Sequence, residues 1–175
     1  MDIMSLIQKR RSIRHFKDEA IPKEDVEKLL EAARWAPSAG NRQPLEIIIV
    51  ESTSQKRQLT EAALQQRFIE AAPVVFAFCA DLDRSSARYG TRGSSLYAIQ
   101  DAAAATQNVL LTAASLGLGT CWVGAFDEKR AAKVLKLPSN VRPLAIVPIG
   151  KPARESTAPS RREANDFTHH EEFGQ

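Results

Sequence analysis

One stretch, residues 96–126, constrains the fold of this 175-residue chain more than any other. It reads LYAIQDAAAATQNVLLTAASLGLGTCWVGAF, and its first two-thirds contain neither glycine nor proline. This pattern predicts one long helix that ends at Gly117 and Gly119. The helix's own alanine and leucine side chains cover most of its circumference, which is typical of a helix buried on nearly all sides. The charged and amide side chains near its middle argue against a membrane span.

The residues after the helix predict a strand with a bare main chain at its end. Residues 120–123 are rich in strand formers, and Gly124 and Ala125 follow with almost no side chain. A flat ligand can lie against such a strand end. The GLG at 117–119 follows a helix and lacks the third glycine of the dinucleotide fingerprint, so we expect any nicotinamide cofactor to bind without a Rossmann domain.

Composition indicates an ordinary globular domain. Hydrophobic residues make up 43% and charged residues 26%, and the net charge is only +3. The cations lie near the two ends of the chain with few aromatic residues among them, which argues against a nucleic-acid-binding module. Cys79 and Cys121 lie in apolar runs without metal-binding spacing, so we predict buried thiols and assign no metal ligand. With no signal-peptide pattern at residues 1–7, we expect a cytoplasmic protein that contacts no membrane.

A basic segment near the start of the chain is the first candidate binding site. Arg10, Arg11 and Arg14 accompany the hydroxyl of Ser12 within five positions. Guanidinium groups and a hydroxyl at this density suit a phosphate, which they bind by charge-assisted hydrogen bonds. An exposed basic surface explains the same spacing equally well.

A second candidate site is the segment PSAGNRQP at residues 37–44. It is dense in turn-forming residues, and its polar side chains both donate and accept hydrogen bonds. Ser38, Asn41 and Gln43 can read the edge of a heterocycle, or they can satisfy the backbone of their own loop. The segment alone favours the second interpretation.

The rest of the chain predicts alternating helices and strands in one domain, residues 1–175. We expect further helices at residues 22–36, 54–69 and 127–135, and buried strands at residues 45–50, 74–79 and 144–149. Pro138 and Pro143 are expected to bracket a turn before the last of these strands. Residues 81–95 are polar and predict an exposed loop that is a candidate lid. Residues 151–175 predict a C-terminal arm, because they cannot form a core of their own.

Five of these pieces, in this order, resemble the nitroreductase family of FMN-dependent oxidoreductases. They are RRSIRHF near the start, APSAGNRQP at 36–44, the alanine-rich helix, LGTCWVGAF at 118–126 and IGKP at 149–152. The resemblance extends from Ile7 to about Phe167. It implies an α+β fold with a central, mainly antiparallel sheet flanked by helices. It also implies a homodimer that binds two FMN molecules at the subunit interface.

The resemblance further implies which residues bind FMN. Arg10, Arg11, Ser12 and Arg14 match the family segment that holds the phosphate and ribityl chain. Pro37, Ser38, Asn41 and Gln43 match the segment that approaches the flavin from the partner subunit. Val123, Gly124 and Ala125 match the strand end whose backbone faces the flavin near N5. Lys151, Arg161 and Arg162 match the C-terminal cations that complete the phosphate site.

The resulting hypothesis is an enzyme that transfers hydride from NAD(P)H through FMN to an electron-poor acceptor, such as a nitroaromatic or a quinone. The flavin carries the chemistry, and no side chain is assigned as catalytic. Other flavin chemistry on the same fold, such as dehalogenation or an oxygen-dependent reaction, is the first alternative. A non-catalytic FMN-binding module is the second.

Overall fold

The computed structural model describes residues 2–154 and 156–174. It contains helices and strands in one α+β arrangement. The helices are α1 (Ile3–Lys9), α2 (Lys23–Arg34), α3 (Thr53–Ala62), α4 (Phe68–Ala71), α5 (Leu82–Arg92), α6 (Ala98–Ser115) and α7 (Glu128–Leu135). The strands are β1 (Leu45–Val50), β2 (Val74–Asp81), β3 (Gly119–Thr120) and β4 (Val141–Gly150).

The strands form one antiparallel sheet in the order β1-β2-β4-β3. Central β2 is covered on both faces, and its alternating side chains divide the core into two halves. Phe76 and Phe78 pack with residues of α2 and α6, whereas Val75 and Ala77 pack with residues of α3 and α7. The mainly antiparallel sheet flanked by helices is confirmed.

Helix α6 covers the sheet with one face. Its buried residues recur at helical spacing and include Ala102, Ala105 and Val109. Ala103 and Leu111 on the remaining surface are only half-buried. Burial on nearly all sides, as predicted from the alanine-rich sequence, is therefore not reached within a single chain.

The structure differs from the sequence prediction in two helical regions. The prediction of an exposed loop at residues 81–95 is wrong, because α5 occupies most of this segment. Asp81 caps α5 by accepting hydrogen bonds from the N–H groups of Asp83 and Arg84. Within the helix, Ser85 is buried. The single helix expected at residues 54–69 is broken into α3 and α4, since Leu64 and Gln65 adopt positive φ angles.

The predicted strand at residues 120–123 pairs with β4 only at its two ends. Gly119 and Thr120 form β3, and Val123 exchanges both backbone hydrogen bonds with Ile146. The same antiparallel register places Cys121 opposite Pro148, at a position where two residues exchange hydrogen bonds. Proline has no N–H to donate, so the ladder is interrupted there.

Strand β4 begins earlier than predicted. Pro143 was expected to bracket a turn, but it lies within the strand and pairs with Cys79. The register shifts between Phe78 and Cys79, next to this proline. A bulge is one of the few places where a sheet accepts proline.

Gly119 lies where the N-terminal segment crosses β3. The N–H of Ile13 donates to the Thr120 carbonyl at 2.8 Å, and a Cβ atom on Gly119 would lie 2.7 Å from Cβ of Ile13. Replacing Gly119 with alanine is therefore expected to lower the free energy of unfolding by about 1–3 kcal/mol through overpacking. Chemical denaturation of the purified variant measures this change, and an unchanged midpoint would contradict the packing described here.

Candidate functional site

The basic segment that follows α1 lines a cavity of about 330 Å³. Arg10, Arg11, Ser12 and Arg14 form one side, and the C-terminal segment forms the other. The C-terminal residues that line it are Ser156, Thr157, Pro159 and Arg161. The structure thus brings the N-terminal cluster and one of the three predicted C-terminal cations to the same place.

The three arginines of the segment differ in what they contact. The Arg11 guanidinium donates to the backbone carbonyls of Gln8 and Arg10, so this side chain braces the end of α1. The Arg14 guanidinium lies 5.7 Å from the centre of the Phe68 ring. The Arg10 guanidinium makes no hydrogen bond or ion pair with any residue that the structure describes, and it remains available to a ligand.

Arg154 also lies beside this segment, and the sequence analysis did not select it. It lines a cavity of about 320 Å³ together with Ser12 and Arg14. Two backbone hydrogen bonds place it there, from the Ala153 N–H to the His15 carbonyl and from the Lys17 N–H to the Lys151 carbonyl, both at 2.9 Å. Its position two residues after the IGKP segment is the sequence feature that could have identified it.

The other two predicted C-terminal cations lie elsewhere. Lys151 forms a salt bridge with Glu19, with Nζ and Oε2 separated by 2.6 Å. This hydrogen bond and charge lower the pKa of Glu19. Arg162 donates to the Asp166 carbonyl and lies 5.9 Å from the centre of the Phe167 ring. Within one chain, neither cation lines the cavity that contains Arg10.

Cys121 is buried close to Ser12 and Arg14. Burial raises the pKa of its thiol, although Arg14 and Ser12 act in the opposite direction. Burial raises the pKa of Cys79 to about 12. Both thiols therefore stay protonated and neutral near pH 7, as expected of buried cysteines without catalytic function.

The strand end at residues 123–125 presents backbone N–H groups that have no hydrogen-bond partner among the described residues. Val123 is buried and hydrogen-bonded to Ile146 through both its N–H and its carbonyl. The Ala125 carbonyl accepts from Nε2 of Gln66 at 3.0 Å. The N–H groups of Gly124 and Ala125 donate to no residue in the described part of the chain. A Cβ atom on Gly124 would approach only Nε1 of Trp122, at 3.9 Å, so open space faces this glycine.

The segment of residues 37–44, called the 37–44 loop below, contributes to a different cavity of about 390 Å³. Pro37, Ser38 and Gln43 line it, whereas Asn41 does not. Ser38 Oγ accepts from the Gln43 N–H at 3.0 Å, and Gln43 Nε2 donates to Asn41 Oδ1 at 3.1 Å. These side chains therefore do satisfy their own loop. The loop cavity and the cavity of Arg10 share no lining residue within one chain.

Asp101, in the first turn of α6, anchors the 37–44 loop to the core. Its Oδ1 accepts from the Ala39 N–H at 3.0 Å. Burial raises the pKa of this carboxyl group, while the hydrogen bond from Ala39 lowers it. Neither Asp101 nor Gln66 was selected from the sequence, because each acts on a residue about 60 positions away.

Comparison with known proteins identifies the family. The sequence model of the Nitroreductase family matches residues 7–67 and 61–151, and the chain belongs to this family. The NADH dehydrogenase of Thermus thermophilus is 35% identical, and the match covers 93% of this chain and 92% of that protein. An NAD(P)H FMN reductase of Bacillus subtilis is 32% identical, and the match covers 98% of this chain and 74% of that protein.

A solved structure agrees over almost the whole chain. The NADPH:FMN oxidoreductase from Vibrio harveyi, complexed with NAD⁺, superposes with a TM-score of 0.91 at 25% identity. The match covers 99% of this chain and 78% of the Vibrio chain. The expected family and fold are thus confirmed. Among residues 2–154 and 156–174, no helix has the length and apolar character needed to cross a membrane.

Proposed function

We propose that this protein is an NAD(P)H-dependent flavin oxidoreductase that uses FMN. The observation that carries the proposal is the cavity in which Arg10, Arg11, Ser12, Arg14 and Arg161 converge, in a chain of the Nitroreductase family. A phosphate monoester is the ligand that several guanidinium groups and a hydroxyl recognise best. The relatives named FMN reductase and NADPH:FMN oxidoreductase support the same cofactors, FMN and NAD(P)H.

The residues present fit FMN at both of its ends. Arg10, Ser12, Arg14 and Arg161 would hold the phosphate, and Arg154 adds a further cation beside them. The Arg11 guanidinium would stabilise the backbone next to the phosphate site, because it donates to the carbonyls of Gln8 and Arg10. The unused N–H groups of Gly124 and Ala125, with open space in front of Gly124, suit the flavin ring. Bound FMN supplies the uptake and release of a hydride equivalent, which no side chain of this protein can provide.

The protein's own contribution is position and electrostatics. Backbone N–H groups at the strand end are fixed by the Val123–Ile146 pair and by Gln66, so they can donate to a ring nitrogen or oxygen without reorganisation. No buried acid or base lies at this strand end among the described residues, and protons would come from water.

We also propose that the protein is a homodimer with FMN at the subunit interface. The 37–44 loop and the Arg10 cavity share no lining residue within one chain, and a second copy would bring its loop to the flavin held at this cavity. Exposed apolar side chains on α1, namely Ile3, Met4 and Ile7, and the half-buried surface of α6 are the faces that such an interface would cover.

We also propose a domain organisation, contacts of the C-terminal arm and a cellular location. Residues 1–175 form one domain, with residues 151–175 as an arm; residues 156–174 are exposed, and Arg161 extends from this arm to the cavity. Lys151 and Arg162 are proposed to contact the phosphate only if their present partners release them. The two buried free thiols are compatible with a reducing compartment, which supports a cytoplasmic location.

The electron acceptor is proposed to be a small electron-poor molecule, a nitroaromatic or a quinone. Acceptor-dependent oxidation of NADH and NADPH, measured with and without added FMN, tests the activity. We expect turnover that requires FMN and that one of these acceptors accelerates. Turnover only with a halogenated substrate or with oxygen would favour the alternative flavin chemistry, and FMN binding without any turnover would favour a binding module.

A further inference from the structure

The 37–44 loop adopts a backbone conformation that requires outside support. Gly40, Asn41 and Gln43 have positive φ angles of 52°, 55° and 51°. Glycine adopts this region freely and asparagine tolerates it, but it is disfavoured for Gln43. Such a conformation persists only where surrounding contacts enforce it.

Hydrogen bonds within the loop are too exposed to provide that support alone. The Ser38–Gln43 and Gln43–Asn41 bonds both lie at the surface, where water competes for the same groups. The part-buried bond from the Ala39 N–H to Asp101 and the close packing of Gly40 against Tyr89 add support from either side of the loop.

Asp101 supplies the contact from the core. Asp101 is only 8% exposed, and its Oδ1 accepts a hydrogen bond from the Ala39 N–H. Its Oδ2 is buried without a hydrogen-bond partner among the described residues, which makes this carboxyl group costly to bury. The buried neighbours on α6, Ala98, Ala102 and Ala105, are all apolar. Asp101 also lines the loop cavity beside Ser38 and Gln43, and the hydrogen bond that it accepts within the described chain comes from Ala39.

Helix α5 supplies the contact from outside. Arg42 Nε donates to the Arg84 carbonyl at 2.9 Å, and Arg84 Nε donates to the Arg42 carbonyl at 3.3 Å. Gly40 packs so closely against Tyr89 that a Cβ atom would lie 2.3 Å from its hydroxyl oxygen. The loop is therefore held between α5 and α6.

We infer that Asp101 is a positioning residue for cofactor binding. Through the Ala39 N–H it fixes the 37–44 loop in the conformation that presents Ser38, Asn41 and Gln43 to the flavin, while α5 closes the opposite side. This inference rests on the proposed function, because it assumes that the loop contacts FMN.

Three variants separate positioning from general stability. Asp101→Leu removes the acceptor, and Asp101→Asn keeps an amide oxygen that can accept from Ala39. Asn108→Leu is the matched control, because Asn108 on the same helix donates to the Ala32 carbonyl at 3.1 Å and does not contact the loop. Hydrogen exchange of the Ala39 amide is measured first, in the protein without FMN. We expect about tenfold faster exchange in Asp101→Leu, and near-normal exchange in the other two variants.

FMN titration of the same variants then tests the link to the cofactor. At a temperature where all are folded, we expect the dissociation constant for FMN to rise about tenfold in Asp101→Leu only. Weaker FMN binding in a folded Asp101→Leu variant, together with faster Ala39 exchange and with normal binding in Asn108→Leu, is the result that a purely structural role would not produce. Unchanged Ala39 exchange in Asp101→Leu, or faster exchange with unchanged FMN affinity, would overturn the inference and leave the proposed function intact. Failure of the unaltered protein to bind FMN would overturn the proposed function and the inference with it.

Discussion

Replacing Arg10 with alanine is expected to weaken FMN binding by about 1.5–3 kcal/mol, which is roughly tenfold or more in the dissociation constant. The guanidinium of Arg10 lines the cavity assigned to the phosphate and has no partner within the described residues. Its removal therefore breaks no hydrogen bond or ion pair with the described residues, and we expect the loss to fall on the ligand. Fluorescence titration of FMN measures the change.

Two controls make this prediction specific. Arg130→Ala removes the same charge from α7, where Arg130 pairs with Asp127 across 3.6 Å, and it should leave FMN affinity unchanged. Riboflavin lacks the phosphate, so Arg10→Ala should leave its affinity unchanged as well. Equal losses for FMN and riboflavin would show that Arg10 does not act through the phosphate.

Replacing Gly124 with valine is expected to reduce FMN affinity by at least about tenfold, because the added side chain fills the space in front of the strand end. The substitution should not disturb the fold. Within the chain a Cβ atom at this position approaches only Nε1 of Trp122, and the φ angle of Gly124 is not positive. We expect the free energy of unfolding to change by no more than about 0.5 kcal/mol.

The graded variant Gly124→Ala separates a steric effect from other causes. Its single methyl group should weaken FMN binding less than valine does, with the same unfolding midpoint as the unaltered protein. FMN content after gel filtration and chemical denaturation provide the two measurements. Normal FMN content in Gly124→Val would show that the flavin does not lie against this strand end.

Strong local signals made much of the fold predictable. The start of α7 followed from Asp127, whose side chain accepts from the Arg130 N–H as an N-cap. Strand β1 has the predicted bounds, because its apolar run is bounded by Pro44 and by the polar residues after Val50. In these segments the local preference and the tertiary packing agree.

Helix α5 could not be predicted in the same way, because its sequence is polar and contains Gly90. It forms because Asp81 caps it and because Ser85 is buried against the rest of the protein. Pro143 was misleading for a related reason, since proline usually ends a strand and is accepted here by a bulge. For Pro143 the deciding contact is its pairing with Cys79, a residue that is distant in sequence.

The candidate site also contains residues with a local sequence signal and residues without one. Arg10, Arg11, Ser12 and Arg14 are close in sequence, and the structure places them around one cavity. Asp101 and Gln66 carry no local signal, because the groups they bind, the Ala39 N–H and the Ala125 carbonyl, lie 62 and 59 positions away. Contacts that position a binding segment from a distant part of the sequence can be identified only when the fold is known.

The most direct test of the central claim is an anaerobic titration of the FMN-loaded protein with NADH and with NADPH. The visible flavin absorption is recorded under argon before and after each addition. We predict that FMN stays bound through desalting, that about one equivalent of a reduced nicotinamide bleaches its absorption, and that a quinone or nitroaromatic restores it. A protein that retains no FMN, or whose bound flavin neither nicotinamide bleaches, would contradict the account.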